Sequence, residues 1–329
     1  MKKLFLLSII CFIFQKTNAQ FFKKDNGLAH TFSIVARDEK TGDIAVGVQS
    51  HWFGVGTSVS WAEAGVGAVA TQSFTNKSFG IRGLALLKQG KTAQQALDIL
   101  LSDDKGREVR QVGIVDAKGN VANFTGKNCV DFAGQLKGKN FAVQSNMMLN
   151  DKVPAAMKKA FEANAKLPLA ERILEALKSA QWVGGDIRGK QSAAILVVKG
   201  KSTGKPWDDN HVVDLRVDDN KAPLVELERL LKTHRAYDHM NNGDLATETN
   251  NMKLAMQEYE TAMKMFPNNL EMQYWTAITL ANNGDIQKAS LMLKAIYTKE
   301  PNWKLMTPRL PKSGLLTVKG KDLEGLINL

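Results

Sequence analysis

The sequence predicts an α+β fold: a four-layer αββα sandwich followed by an all-α region. Two observations carry the sandwich. Apolar segments of strand length come in pairs joined by short polar turns, and segments with helical spacing arrive in pairs between them. A third sets its limit, because beyond Pro223 the strand signals stop and helical periodicity takes over. A doubly wound parallel sheet would need helix-length crossovers between successive strands, and the hairpins exclude it.

Residues 31–37 and 44–49 read as the first two strands, joined by the charged turn Asp38-Glu39-Lys40-Thr41-Gly42-Asp43. Residues 65–72, rich in Gly, Ala and Val, read as a third strand whose small residues suit close sheet packing. A helix over 81–88 then stops before Gly90, which suits the left-handed residue after a helix end. Thr92 and Gln95 have capping-box spacing and open the helix carrying Ala96, Leu97, Leu100 and Leu101. A second hairpin is expected over 111–115 and 120–124, and a further strand over 141–144. Apolar residues at helical spacing mark helices over 153–165 and 169–180, with Pro168 where a first turn tolerates proline. The apolar run 193–198 is long enough for one buried strand, 199–210 reads as a loop, and 212–217 as a last strand.

From 223 onward an internal repeat is visible. Asn241-Asn242-Gly243-Asp244 recurs as Asn282-Asn283-Gly284-Asp285, and an amphipathic helix follows each copy to Pro267 or Pro301. The two prolines stand 34 residues apart, the tetratricopeptide period. Ala255, Tyr259, Ala262 and Phe266 share one face, as do Ala289, Met292, Leu293 and Ile296. Residues 223–305 are therefore expected to be a long helix plus about two tetratricopeptide-like pairs. So few repeats rarely stand alone, which requires packing on the first domain or on a partner protein. Residues 306–329 read as a C-terminal tail.

The chain has 329 residues, enough for about two domains, and a net charge of +11. Lys2 and Lys3 precede the apolar run 4–14, and Thr17-Asn18-Ala19 presents small residues before Gln20: a secretory signal over 1–19, too short to anchor in a bilayer. A lipoprotein signal at Cys11 is rejected, because Ile10 stands where a small residue is required. The expected location is periplasmic or extracellular. Losing Lys2, Lys3 and Lys16 leaves a net charge of about +8, suited to contact with anionic envelope polymers and equally to solubility. No Lys/Arg cluster interleaves with aromatics, so nucleic acid is not an expected partner. One cysteine, Cys129, survives signal removal; it can make neither an internal disulfide nor a thiolate metal site, and is expected to be buried.

No metal-ligand spacing, phosphate-cradling glycine loop or G-x-S-x-G elbow is present, so no metal or cofactor is expected. The remaining polar groups sit at strand ends: Thr31, Ser50-His51, Gln72-Ser73, Ser145-Asn146 and the stretch from Asp186 through Arg188 to Ser192. In the last of these, Gly184 and Gly185 allow tight turns and Asp186 can pair with Arg188. That pairing serves a site, or fixes a loop.

HTFSIVARD, SHWFGVG, WAEAGVGAVATQS, RQVGIVDAKG, GGDIRGKQSAAILVV and DLRVDD, taken in order, resemble the domain of unknown function 1028 family, over about 31 to 235. That family is assigned to the N-terminal-nucleophile hydrolase superfamily and has no established reaction. Some members carry a peptidoglycan-binding domain where this chain has its helical module.

The resemblance implies the four-layer sandwich, with Thr31 as nucleophile and its own α-amine as base. An α-amine has a reference pKa of about 7.7–8.0, suited to that task. In cytosolic relatives the threonine often follows the initiator methionine. Here signal cleavage leaves Gln20–His30 ahead of it as a pro-segment or tail, so a second cut between His30 and Thr31 is required. The proteasome-like branch supports its nucleophile with a third-strand lysine, whereas 61–73 contains none; His51 is the candidate substitute. Asn146 is the candidate oxyanion donor, and Asp186, Arg188 and Ser192 would line the site.

Two function classes follow: a secreted amidohydrolase cutting amide or peptide bonds, including those of cell-wall fragments, or a non-catalytic envelope protein that binds partners through its cleft and helices. Self-association is a further expectation from the superfamily. The domain limits are 31–222 for the sandwich and 223–305 for the helical module.

Overall fold

The computed structural model of the chain describes residues 28–205, 207 and 210–329. The signal segment 1–19 and residues 20–27 of the expected pro-segment lie outside the described residues.

In chain order the strand-bearing part comprises β1 (Leu28–Ala29), β2 (Thr31–Arg37), β3 (Ile44–Ser50), a helical turn α1 (Gly56–Val59), β4 (Ser60–Glu63), β5 (Gly67–Phe74), α2 (Ser78–Lys88), α3 (Ala93–Ser102), β6 (Arg110–Asp116), β7 (Val121–Thr125), β8 (Gly134–Gly138), β9 (Phe141–Ser145), α4 (Val153–Ala163), α5 (Leu169–Trp182), β10 (Ser192–Val198) and β11 (His211–Val217). All strand pairs are antiparallel. One sheet runs β1-β5-β6-β7, with β4 also on β5; the other runs β11-β10-β3-β2-β9-β8.

The period of two along each strand sorts residues between two cores. On β2, Phe32, Ile34 and Ala36 pack with Met157, Phe161, Ile173 and Leu177 of α4 and α5. Val35 points the other way, joining Val46, Val48, Ala68, Ala70, Val115, Ala142 and Leu196 between the sheets. On the far face of the smaller sheet, Val69, Val112 and Ile114 meet Leu87, Leu97 and Leu100 of α2 and α3. Each fully buried Leu, Ile or Phe contributes about 1.5–3 kcal/mol by leaving water. The Thr92 capping box forms as expected, with Gln95 answering the Thr92 backbone N–H. Cys129 is buried, and its thiol lies 3.4 Å from the Arg110 carbonyl.

Three strands escape the sequence signal, the first being β1, only two residues long. β4 (SWAE) and β8 (GQLKG) are partly or wholly exposed, so neither shows apolar alternation.

Beyond residue 222 the structure is helical: α6 (Pro223–Glu248), α7 (Met252–Met265), α8 (Leu270–Asn282), α9 (Ile286–Lys299), α10 (Asn302–Met306), a 3-10 turn, α11 (Leu310–Ser313) and α12 (Gly320–Ile327). The boundary expected at 222/223 cuts through a packed unit. Leu224, Leu227 and Leu231 of α6 belong to the core under α4 and α5, and only later residues such as Ala236 and Met240 pack on α7. Arg235 also holds Glu171 of α5 at 2.8 Å.

The repeated Asn-Asn-Gly-Asp is not structurally repeated. Its second copy is a turn, with Gly284 left-handed and Asp285 capping α9. Its first copy lies inside α6, where a Cβ on Gly243 would sit 2.4 Å from the Tyr259 ring. Gly243 is there to admit Tyr259, not to turn the chain. The turn comes later, at left-handed Asn250, and Asn251 caps α7 as Asp285 caps α9. Caps and prolines then keep a common spacing, and the seven extra residues of the first unit are 245–251. Residues 306–329 are not a tail, because Leu310, Leu316 and Leu326 are buried against α8 and α9.

Candidate active site

The site lies where the chain passes from one sheet to the other. Leu28 and Ala29 pair with Phe74 and Ser73 on the edge of β5, whereas Thr31 pairs with Ser50 in the larger sheet. His30 is the crossover, and it is 3% exposed.

The strands that bury aliphatic side chains between the sheets bury polar ones at this end. Thr31 and Ser33 continue the inward positions of β2, Gln72 those of β5, Gln111 those of β6 and Gln144 those of β9, and all are fully buried. Ser33 and the three glutamines bond to one another, with Gln144 Oε1 left without a partner among the described residues. Ser33 Oγ donates to Gln72 Oε1 at 2.6 Å, and Gln144 Nε2 donates to Ser33 Oγ at 2.6 Å. Gln72 Nε2 donates to Gln111 Oε1 at 2.7 Å and to the Thr31 carbonyl at 3.1 Å. Asn146 Nδ2 also donates to Gln111 Oε1 at 2.8 Å, while Gln111 Nε2 reaches the Ser145 carbonyl at 2.8 Å. Gly113 makes room for this, since a Cβ there would lie 2.4 Å from Gln144 Oε1. Ser73 and Met147, next to Gln72 and Asn146, hold left-handed φ of 69° and 60°, a strain that non-glycine residues carry chiefly at sites.

Around the His30–Thr31 peptide the arrangement is more specific. The His30 carbonyl accepts from Ser50 Oγ at 2.6 Å and from Arg188 Nη2 at 2.7 Å. Arg188 forks onto Asp186, with Nε on Oδ1 at 3.0 Å and Nη2 on Oδ2 at 2.7 Å. Asp186 also accepts the backbone N–H of Arg188 at 2.9 Å and of His51 at 3.2 Å, so its buried charge is fully met. Left-handed Gly185, with φ +62°, and a bridge from Asp186 to Met148 set this loop.

His30 Nδ1 donates to Asn146 Oδ1 at 2.8 Å, and its ring stands edge-on to Phe74 at 5.7 Å. Burial pushes the His30 imidazole below its ordinary value and Arg188 adds to this, outweighing Asn146 and Asp186. The Thr31 hydroxyl oxygen is buried, and among the described residues it has no hydrogen-bond partner.

The structure thus brings together Thr31, Asn146, Asp186 and Arg188 of the six residues expected from sequence. His51 is exposed and contributes its backbone N–H to Asp186, whereas the cation on the His30 carbonyl is Arg188. Asn146 spends its amide on His30 and Gln111, and the donors on the His30 carbonyl are Ser50 and Arg188. Ser192 donates to the Trp52 carbonyl and accepts from the Val55 N–H at 3.1 Å, which makes it a positioning residue for the 52–55 turn. Ser50 and Gln72 were legible as strand-end residues. His30, Ser33, Gln111 and Gln144 carry no site signal in the sequence, because only the stacking of the sheets gives them partners. No cluster of three metal-ligating side chains exists among the described residues.

A family model described as "Family of unknown function (DUF1028)" matches residues 31–227. The chain belongs to the DUF1028 family. The crystal structure of protein SPO2555 from Silicibacter pomeroyi, assigned to the same family, is similar at 32% identity and a TM-score of 0.56; the match covers 62% of this chain and 85% of that one. No curated protein matches the chain. The DUF1028 match opens at Thr31, at the crossover described above.

Proposed function

We propose that this DUF1028 protein is an N-terminal-nucleophile amidohydrolase that exposes Thr31 by cutting its own His30–Thr31 bond. The observation that carries the reading is the His30 carbonyl, held by Ser50 Oγ at 2.6 Å and the Arg188 guanidinium at 2.7 Å, one residue before a buried, unpartnered threonine hydroxyl. A carbonyl gripped by a neutral and a cationic donor is polarised for attack and can take up negative charge there. The Thr31 oxygen reaches that carbon through a five-membered ring. Attack forms an ester, the C–N bond breaks, and the hydroxyl proton ends on the freed nitrogen. Water then hydrolyses the ester, releasing His30 as a carboxylate and leaving Thr31 with a free amine. In turnover that amine takes the hydroxyl proton and returns it to the leaving amine, while Ser50 and Arg188 receive the substrate oxyanion.

Two layers of helices around paired antiparallel sheets support the superfamily's αββα sandwich. The regular spacing of capped helices α7 and α9 supports a tetratricopeptide-like module for a protein partner. The signal at 1–19 supports export to the periplasm or exterior, where amide bonds of peptides or cell-wall fragments are available, and the chain acts alone or as a homo-oligomer.

One observation favours a second reading: His30 is so well seated that it resembles a permanent plug, as a non-catalytic envelope binding protein would have. Assaying the exported protein and Thr31→Ala on a panel of acyl and peptidyl amides separates the two. The hydrolase reading expects amine release by the wild type alone. Equal inactivity would leave the binding protein.

A further inference from the structure

The segment before Thr31 is not draped over the site; it is bound in it. β1 adds a short antiparallel strand to the edge of β5, through Leu28 opposite Phe74 and Ala29 opposite Ser73. Phe74 is in turn held by Arg110, whose guanidinium reaches the Phe74 carbonyl and pairs with the largely buried Asp104 at 2.8 Å. The edge that receives β1 is therefore fixed independently of β1.

His30 then fills a made-to-measure pocket. Its ring is flanked edge-on by Phe74 at 5.7 Å, and its Nδ1–H meets Asn146 Oδ1 at 2.8 Å. That oxygen is oriented by the amide's other end, which donates to Gln111 at 2.8 Å. Backbone edge, ring wall and fixed acceptor together select a residue by shape and by hydrogen bond, with the following carbonyl delivered to Ser50 and Arg188.

We propose that the seat of residues 28–30 is the acyl-side groove of the enzyme, so that its substrates are peptide amides bound as an extended strand along β5 with histidine before the cleaved bond. The inference rests on the self-cleavage reading above and deepens it. The logic is covalent identity. The ester formed in self-cleavage joins the His30 acyl group to Thr31 Oγ, with the Thr31 amine free. A peptide amide ending in Leu-Ala-His, attacked by mature Thr31, gives that same ester with the amine of the substrate as leaving group. Whatever binds the leader for the first reaction binds the acyl half of a substrate in later ones. Main-chain pairing supplies affinity without sequence demand, and the pocket supplies the choice. An acceptor aimed at a substrate N–H penalises residues without one, because it is left unpaired when they bind. Glutamine, which also offers an N–H from a planar group, ranks second; glycine and glutamate fall far behind.

The test uses the full chain after it has processed to Thr31 and acetyl-Leu-Ala-X amides of 7-amino-4-methylcoumarin, with X as His, Gln, Phe, Gly or Glu. The expected kcat/KM for His exceeds that for Gly or Glu at least tenfold, with Gln between. In parallel, calorimetry with acetyl-Leu-Ala-His carboxylate should show binding to the processed chain and none to Thr31→Ala, whose leader still fills the groove. A flat profile, a preference for Gly or Glu, or processed chain that neither cuts nor binds these peptides overturns the groove while self-cleavage stands. A chain that keeps residues ahead of Thr31 overturns both.

Discussion

The two ends of the space between the sheets are built by the same strands and differ in kind. At one end the inward positions are Val35, Val46, Ala68, Val115 and Leu196, an ordinary aliphatic seam. At the other they are Thr31, Ser33, Gln72, Gln111 and Gln144, equally buried. An aliphatic seam would have closed both ends more cheaply, since each polar group taken from water must find a partner. Most of the amides and the Ser33 hydroxyl do, while Gln144 Oε1 and the neighbouring Ser73 and Ser145 hydroxyls lack a partner among the described residues. The Thr31 hydroxyl is unpaired as well, and an orphaned group costs about 1–3 kcal/mol. What singles out Thr31 among the unpaired oxygens of the polar end is its neighbour: it directly follows the His30 carbonyl that Ser50 and Arg188 both hold.

That comparison can be broken in several places. The largest effect belongs to Thr31→Ala, which removes the attacking oxygen and should abolish processing while leaving a folded chain; mass spectrometry of protein aged for days would expose any residual cutting. Next is Arg188→Met. Loss of one oxyanion donor slows such reactions by roughly 10²–10³-fold, and stranding the buried Asp186 should lower stability by about 3 kcal/mol. Rates from time-resolved N-terminal sequencing, with denaturant melts beside them, give both numbers.

At the aliphatic end the prediction is the reverse. Ile44→Ala should cost about 2–5 kcal/mol of stability, yet the folded fraction should process at the wild-type rate. A comparable loss of rate would erase the distinction between the two ends.

Acid provides a milder test. His30 has a folded-state pKa below its unfolded value of about 6.5. The unfolded chain therefore binds the proton more readily, so the contribution of His30 is fully present above that pH and is lost as pH falls through the folded value. Melting temperatures of the uncut Thr31→Ala chain should drop between pH 7.5 and 5 more than those of Thr31→Ala with His30→Gln. The smallest effect is expected at Ser33→Ala, about 1 kcal/mol for a hydrogen bond lost within the network, with processing kept.

Much of the fold was legible because its strands obey simple alternation. The 31–37 and 44–49 hairpin, the Thr92 capping box and the buried run 193–198 all carry local signals that the structure repeats. β4 and β8 carried none, since exposed edge segments need no apolar pattern. The misplaced repeat at Asn241–Asp244 shows a different limit. The two copies match in sequence, but Gly243 lies within a helix where Tyr259, sixteen residues on, decides what it is for. The site divides in the same way. Thr31, Asp186 and Arg188 stand at strand ends or in a glycine loop, where sequence points. Gln111 and Gln144 look like any polar strand residues until two sheets are stacked, and His30 looked like leader until its ring met Asn146.

The most direct test of the central claim is the N-terminal sequence and intact mass of the wild-type chain recovered from the cells that produce it, beside Thr31→Ala recovered in the same way. Self-cleavage predicts that the wild type begins at Thr31 and the variant still carries His30. A wild type that retains His30, or a variant cut at the same bond by another protease, would contradict it.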